Sequence, residues 1–143
     1  MSTEVVQARI VLVTGDEDMA SLIRTILASD GLDVQSAPNG RTGLALARGQ
    51  APDLLLLDLN LPDMNGWEFF MQLQPDAGGA RPPVIILANQ ASRVDRTFGL
   101  RVAQVHDYLV KPFLPSQLRA SVSQAIQPRP APRYRYNISQ HLA

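Results

Sequence analysis

An acidic side chain stands directly behind a run of leucines in the stretch LLLLDLNLPDMNG, residues 54–66. Four consecutive leucines are typical of a strand that is buried on both faces of a parallel sheet. Because an ionised carboxylate is costly to bury without a partner, we expect Asp58 to lie where this strand ends. The carboxyl ends of parallel strands are where ligands and chemistry gather, so Asp58 is a candidate functional residue.

A lysine, Lys111, follows the short apolar run at residues 108–110. If the strands are parallel, Lys111 and Asp58 meet at one edge of the sheet. A carboxylate there can act as a nucleophile, and an ammonium group can hold phosphate oxygens. A structural ion pair is the alternative, and the chemistry of these two residues alone does not decide between them. The other positions at this edge are Thr14, Gly15, Asp16, Asn60, Ala88 and Asn89.

The elements that would position these residues follow from apolar patterning. Strands are predicted at residues 9–13, 32–37, 54–57, 84–88 and 108–110. Helices are predicted between Asp16 and Gly31 and at residues 42–48, 66–73, 92–104 and 114–126. Regular alternation of strands and helices predicts a three-layer α/β fold, a five-stranded parallel sheet with helices on both faces.

Composition excludes several classes of protein. The chain has 143 residues, with 13 basic and 13 acidic side chains, so its overall charge suggests neither a nucleic-acid-binding nor a membrane-surface protein. There is no Cys, which excludes disulfides and thiolate metal sites. No apolar run approaches the about 18 residues of a membrane helix, and the start lacks the features of a signal peptide. A cytoplasmic protein without membrane partners is therefore predicted.

The chain is predicted to divide into one domain, residues 1–127, and a tail, residues 128–143. The tail, PRPAPRYRYNISQHLA, contains three prolines and three arginines and has no clear period. Such a composition favours an extended or disordered segment.

Two motifs together carry a family resemblance. The stretches DLNLPDMNG at residues 58–66 and YLVKPF at residues 108–113 closely resemble the receiver domain of two-component response regulators, whose fold is flavodoxin-like. The resemblance covers about residues 8–127 and implies that Asp58 is the phosphoacceptor for a sensor histidine kinase. It also implies that the backbone carbonyl of Asn60 ligates magnesium and that Lys111 pairs with the acceptor and then with the phosphoryl group. Pro112 is expected to follow a cis peptide bond.

The first departure from the family concerns the metal. Receivers normally end their first strand in a pair of acids, often followed by a third, and the second of the pair ligates magnesium. Thr14 and Gly15 stand at the pair here, and Asp16 stands at the third place. Because Mg²⁺ is usually held by one or two carboxylates plus phosphate, we expect Asp16, Asp58 and Asn60 to form a weak metal site or none. Asp16 could restore the site only if the loop shifted by one residue.

The second departure concerns the switch. Receivers typically carry Thr or Ser at the end of the fourth strand, where a hydroxyl follows the phosphoryl oxygen, and Ala88 cannot make that hydrogen bond. Tyr108 matches the aromatic residue that swings inward in the family. With Ala88 present, we predict instead a half-buried strand tyrosine with a solvated hydroxyl.

These residues predict a receiver-type signalling module that is not an enzyme and acts by protein–protein interaction. Asp58 would pair directly with Lys111 and be phosphorylated weakly or not at all, with no cofactor or weakly bound magnesium. The alternatives are a conventional magnesium-dependent receiver that uses Asp16 and an Asp-nucleophile phosphatase. The latter normally has Asp-x-Asp, whereas this chain has Asn60 at the second place. The expected partner is a sensor histidine kinase or another signalling protein. A homodimer is permitted, and direct DNA binding by this chain is not expected.

Overall fold

The computed structural model describes residues 8–73, 81–89 and 105–126. Five parallel strands form one sheet in the order β2-β1-β3-β4-β5. The strands are β1 (Arg9–Val13), β2 (Asp33–Ala37), β3 (Leu54–Asp58), β4 (Val84–Ala88) and β5 (Asp107–Val110). Because β3 lies at the centre of this order, its carboxyl end is flanked by the ends of β1 and β4.

Helices lie on both faces of the sheet, as the alternation of elements predicts. The described helices are α1 (Glu17–Ala28), α2 (Gly40–Gln50), α3 (Gly66–Gln72) and α4 (Pro115–Ile126). Buried residues of α2 and α3 share one core cluster, and buried residues of α1 and α4 share the other. The molecule therefore has the three predicted layers.

The leucine run is explained by these two cores. Leu55 and Leu57 face the cluster under α2 and α3, while Leu54 and Leu56 face the cluster under α1 and α4. All four are fully buried. A strand covered on both faces requires apolar residues at every position, because successive side chains point to opposite sides.

The described elements confirm most sequence predictions and correct two. Helix α2 extends beyond the predicted residues 42–48, because the side chain of Asn39 accepts a hydrogen bond from the backbone N–H of Thr42 and caps a helix that begins at Gly40. Leu114, predicted as the first residue of the last helix, lies outside it. It precedes α4 and is 63% exposed.

Other predictions lie outside the described residues. These are the helix at residues 92–104 and the tail. Within the described ranges, no helix is both long enough and apolar enough to cross a membrane.

Candidate functional site

Asp58 is the last residue of β3 and is buried, with 2% of its surface exposed. The backbone ladder continues past it, since Leu59 donates from its N–H to the carbonyl of Leu87. Asp58 is therefore held between rigid strands with its carboxylate at the carboxyl edge of the sheet, as the leucine run predicts.

Each carboxylate oxygen of Asp58 accepts two hydrogen bonds. Oδ1 accepts from the backbone N–H of Asn60 at 2.9 Å and from Lys111 Nζ at 3.1 Å. Oδ2 accepts from Thr14 Oγ1 at 2.7 Å and from Lys111 Nζ at 3.1 Å. An ionised carboxylate offers about four acceptor positions. Protein donors therefore satisfy the whole group.

Lys111 supplies the compensating charge. It follows β5, its backbone N–H donates to the carbonyl of Ala88, and the Lys111–Pro112 peptide bond is cis. Its ammonium group forms an ion pair with Asp58 in which the two side chains are 16% and 3% exposed. The direct Asp58–Lys111 contact predicted from sequence is thus present, and their charges cancel.

Thr14 is the site residue whose contribution the sequence did not reveal. Sequence reasoning treats it only as a missing acid, whereas in the structure it is buried and its hydroxyl donates to Asp58. The sequence feature that could have indicated this role is a hydroxyl residue directly after β1, the strand that pairs with β3. Whether that hydroxyl reaches the carboxylate depends on the loop after β1.

Gly15 and Asp16 form that loop. The Asp16 carboxylate accepts a hydrogen bond from the Met19 backbone N–H at 3.0 Å, and Asp16 is the N-cap of α1. Capping satisfies one of the free N–H groups at the helix start, so it competes with any role of this carboxylate in metal binding. Gly15 lies close to the β3–α3 loop, since a Cβ there would be 3.1 Å from Pro62 Cδ.

Ala88 and Tyr108 lie together in the core cluster under α2 and α3. The prediction that Tyr108 is half-buried with a solvated hydroxyl is wrong. The residue is 4% exposed, and its hydroxyl oxygen is buried. Tyr108 lies in β5 and packs in the cluster that includes Ala88 and Val105, so the aromatic ring adds to the core rather than to the surface.

An open cleft of about 660 Å³ lies in front of the carboxylate. It extends from Gly15 and Asp16 across Asp58 to Asn89 and Lys111. Asn60 contributes its backbone N–H to Asp58 and is itself exposed at the rim of the cleft. The edge therefore brings together the predicted residues from β1, β3, β4 and β5.

The loop after Asp58 is attached to α2 by Asp63. Its two carboxylate oxygens accept from the backbone N–H groups of Gly40 at 2.7 Å and Arg41 at 3.0 Å. These hydrogen bonds, with Gly40 contributing most, hold the pKa of Asp63 below its ordinary value. The sequence did not indicate this contact, which spans more than twenty positions.

The lowered pKa of Asp63 predicts a pH-dependent contribution to stability. A carboxylate with a depressed folded-state pKa stabilises the fold above its ordinary pKa of 3.8, and loses that effect as the pH falls through the folded value. We expect Asp63→Ala to lower the melting temperature at neutral pH, and the difference from wild type to shrink below pH 3.8.

A control variant separates charge from hydrogen bonding. Asp63→Asn keeps one accepting oxygen but has no carboxyl group to titrate. The difference in melting temperature between Asp63→Asn and Asp63→Ala should therefore stay the same from neutral pH to below pH 3.8. A wild-type advantage over Asp63→Ala that persists unchanged below the folded-state pKa would contradict the assignment.

Comparison with known proteins identifies the family of this chain. The family model described as the response regulator receiver domain matches residues 10–123. The chain belongs to this family. Its fold and the position of Asp58 at the carboxyl end of β3 are those that the resemblance implies.

Two curated relatives differ in how much of their own length this chain matches. DNA-binding response regulator MtrA of Mycobacterium bovis is 34% identical over 119 residues, which cover 83% of this chain and 50% of that protein. Protein PilH of Pseudomonas aeruginosa is 36% identical over 105 residues, which cover 73% of this chain and 86% of that protein. The chain thus spans about half the length of MtrA.

Solved structures show the same receiver fold. Vibrio cholerae chemotaxis protein CheY4 superposes with a TM-score of 0.77 at 25% identity, covering 84% of this chain and 99% of that chain. The BeF3-activated N-terminal receiver domain of Klebsiella pneumoniae RstA superposes with a TM-score of 0.74 at 27% identity, covering 83% and 98% of the two chains.

Receiver domains typically use Mg²⁺ for phosphorylation, and several of the polar groups that would surround that ion here already have protein partners. Asp58 is fully occupied by protein donors, Gly15 offers no side chain, and Asp16 caps α1. Among the described residues, no group of three or more His, Cys, Asp or Glu side chains could hold a metal. Mg²⁺ requires oxygen ligands in near-octahedral geometry, so binding here would require hydrogen bonds to be broken.

Proposed function

We propose that this receiver domain is a signalling module that acts by protein–protein interaction, and that Asp58 is phosphorylated slowly or not at all. The observation that carries the proposal is the complete set of protein donors on the Asp58 carboxylate. Phosphoryl transfer depends on positioning and on cations that neutralise the developing charge. The family resemblance also implies the ion pair with Lys111, so the distinguishing donor here is the Thr14 hydroxyl, which competes for Asp58 Oδ2 with a cation or a phosphodonor.

The switch residues support the same proposal. Ala88 has no hydroxyl that could bond to a phosphoryl oxygen, so a modified Asp58 would have weak coupling to the rest of the molecule. Losing one hydrogen bond to a charged group costs about 1.5–3 kcal/mol, which is enough to silence a switch biased by a few kcal/mol. Tyr108 is already buried in the core cluster that contains Ala88, so burial of its ring does not await a signal.

The partner class follows from the family. A sensor histidine kinase or another signalling protein would bind a surface that includes β5 and α4. This module would have no enzymatic turnover of its own. The conventional alternative, in which Asp16 completes a magnesium site, requires Asp16 to give up its hydrogen bond to the Met19 N–H.

Intact mass spectrometry tests the proposal directly. The protein is incubated with acetyl phosphate and millimolar MgCl₂, and with a kinase phosphodonor. We expect little or no gain of one phosphoryl group over a period in which a conventional receiver is fully modified. Hydrolysis of para-nitrophenyl phosphate, measured in parallel, should not exceed the background rate.

The Asp58→Ala variant is the control that locates any modification. A prompt gain of one phosphoryl group on the wild-type chain, absent from Asp58→Ala, would overturn the proposal and favour the conventional receiver. Turnover of para-nitrophenyl phosphate that disappears in Asp58→Ala would favour the phosphatase instead.

A further inference from the structure

The contacts of Thr14 support an inference about how Asp58 is held, and this inference rests on the proposed function above. Thr14 Oγ1 lies 3.1 Å from the backbone N of Asp16 and 2.7 Å from Asp58 Oδ2. A backbone N–H can only donate, so Oγ1 accepts from Asp16. An ionised carboxylate can only accept, so the Thr14 hydroxyl donates to Asp58. The two neighbours of Oγ1 therefore fix the direction of both hydrogen bonds.

Thr14 connects three parts of the sheet edge. Its backbone N–H donates to the carbonyl of Ala37 at the end of β2, while its hydroxyl joins the loop before α1 to the end of β3. With 3% of its surface exposed, it is shielded from water. A hydrogen bond between a buried hydroxyl and a carboxylate is charge-assisted and stronger than a neutral one.

The charge balance of the site follows from the same residues. Asp58 and Lys111 cancel, and Thr14 adds a donor without adding charge. Beyond this pair, a divalent cation at Asp58 would meet only the Asp16 carboxylate, which caps α1, and it would have to displace one of the hydrogen-bond donors. We propose that Thr14 is the positioning residue that makes the Asp58 site independent of divalent cations, its hydroxyl occupying the acceptor position that a cation would use.

Four proteins test this proposal by thermal unfolding, in EDTA and in millimolar MgCl₂ or MnCl₂. Wild type and Thr14→Ser should unfold at temperatures that do not depend on the cation. Thr14→Val, which is similar in shape but has no hydroxyl, should unfold at a lower temperature in EDTA. Because the acceptor position on Asp58 Oδ2 is then free, part of that loss should be recovered with the cation. Thr14→Asp places a second carboxylate against Asp58, so its stability should be lowest in EDTA and rise with the cation.

The size of the rescue is set by mass action. For Thr14→Asp, a cation at ten times its dissociation constant should shift the unfolding equilibrium about tenfold toward the folded state. If Thr14→Asp does not fold in any buffer, the other three proteins decide. Wild-type stability that rises saturably with MgCl₂, or a Thr14→Val variant that unfolds at the wild-type temperature, would overturn the proposal.

The test of the Thr14 proposal can fail independently of the test of the proposed function. A wild-type protein that binds Mg²⁺ yet gains no phosphoryl group would reject the role of Thr14 and leave the interaction module standing. A wild-type protein that is promptly phosphorylated, with stability indifferent to Mg²⁺, would reject the interaction module and leave the cation-independent site standing.

Discussion

Replacing Lys111 by methionine is expected to destabilise the protein by about 3 kcal/mol, because it leaves the buried Asp58 carboxylate without its counter-charge. The methionine side chain has a similar length and keeps most of the packing. What is lost is the ion pair at 3.1 Å, whose acidic partner is 3% exposed. Urea unfolding at neutral pH measures the change directly.

An exposed ion pair in the same molecule is the matched control. Arg119 and Asp30 form a pair at 3.2 Å with side chains 46% and 40% exposed. Solvent weakens such pairs, so Arg119→Met should cost less than about 1 kcal/mol. Equal effects of the two substitutions would show that burial does not set the strength of the Asp58–Lys111 pair.

A double variant separates the charge of Asp58 from the packing of Lys111. In Asp58→Asn combined with Lys111→Met, no buried charge remains, so the loss should be smaller than the sum of the two single losses. Contacting residues in such cycles couple by about 0.5–3 kcal/mol, and we expect a value near the upper end. Additive losses would contradict direct coupling.

Gly66→Ala is expected to destabilise the protein by about 3 kcal/mol, at the upper end of the cost of overpacking. A Cβ at Gly66 would lie 2.7 Å from the Cα of Leu59 and 3.0 Å from the carbonyl oxygen of Asp58. These are backbone atoms that cannot rotate away. The end of β3 would have to move, so the contacts of the Asp58 carboxylate should loosen together with the fold.

Gly49 provides the control for this substitution. It lies in α2, and a Cβ there meets nothing within 4 Å. Gly49→Ala should be neutral or stabilising by up to about 1 kcal/mol, since alanine restricts the unfolded chain and suits a helix.

Two-dimensional NMR measures the effect of Gly66→Ala on the site. The spectrum of Gly66→Ala should show shifted Asn60 and Lys111 resonances. If Gly66→Ala were as stable as wild type, the loop after β3 would have to adjust its backbone at little cost.

The charged centre of this site was predictable because it depends on topology. The uninterrupted leucines at residues 54–57 require a strand covered on both faces, and such strands run parallel with their carboxyl ends at one edge. Asp58 ends β3 and Lys111 directly follows β5, so their meeting needed no knowledge of loop geometry. The cis bond before Pro112 was expected from the family resemblance, and the structure contains it.

The sequence was less informative wherever a contact depends on the path of a loop. The contact between Asp63 and the start of α2 depends on how the β3–α3 loop crosses the sheet edge, and no local pattern describes that path. Tyr108 was misjudged for a related reason. Strand alternation tells which face a side chain takes, but burial depends on what packs over that face.

The sequence alone determined the fold class, the order of the strands along the chain, and the opposition of one carboxylate and one ammonium group at the edge of the sheet. Hydrophobic periodicity selects the elements, and the regular alternation of strands and helices makes the strands parallel. Only the tertiary structure decided that the Thr14 hydroxyl donates to Asp58 while Asp16 caps α1. A hydrogen bond requires atoms to lie within a few tenths of an ångström of their places, and packing sets those places.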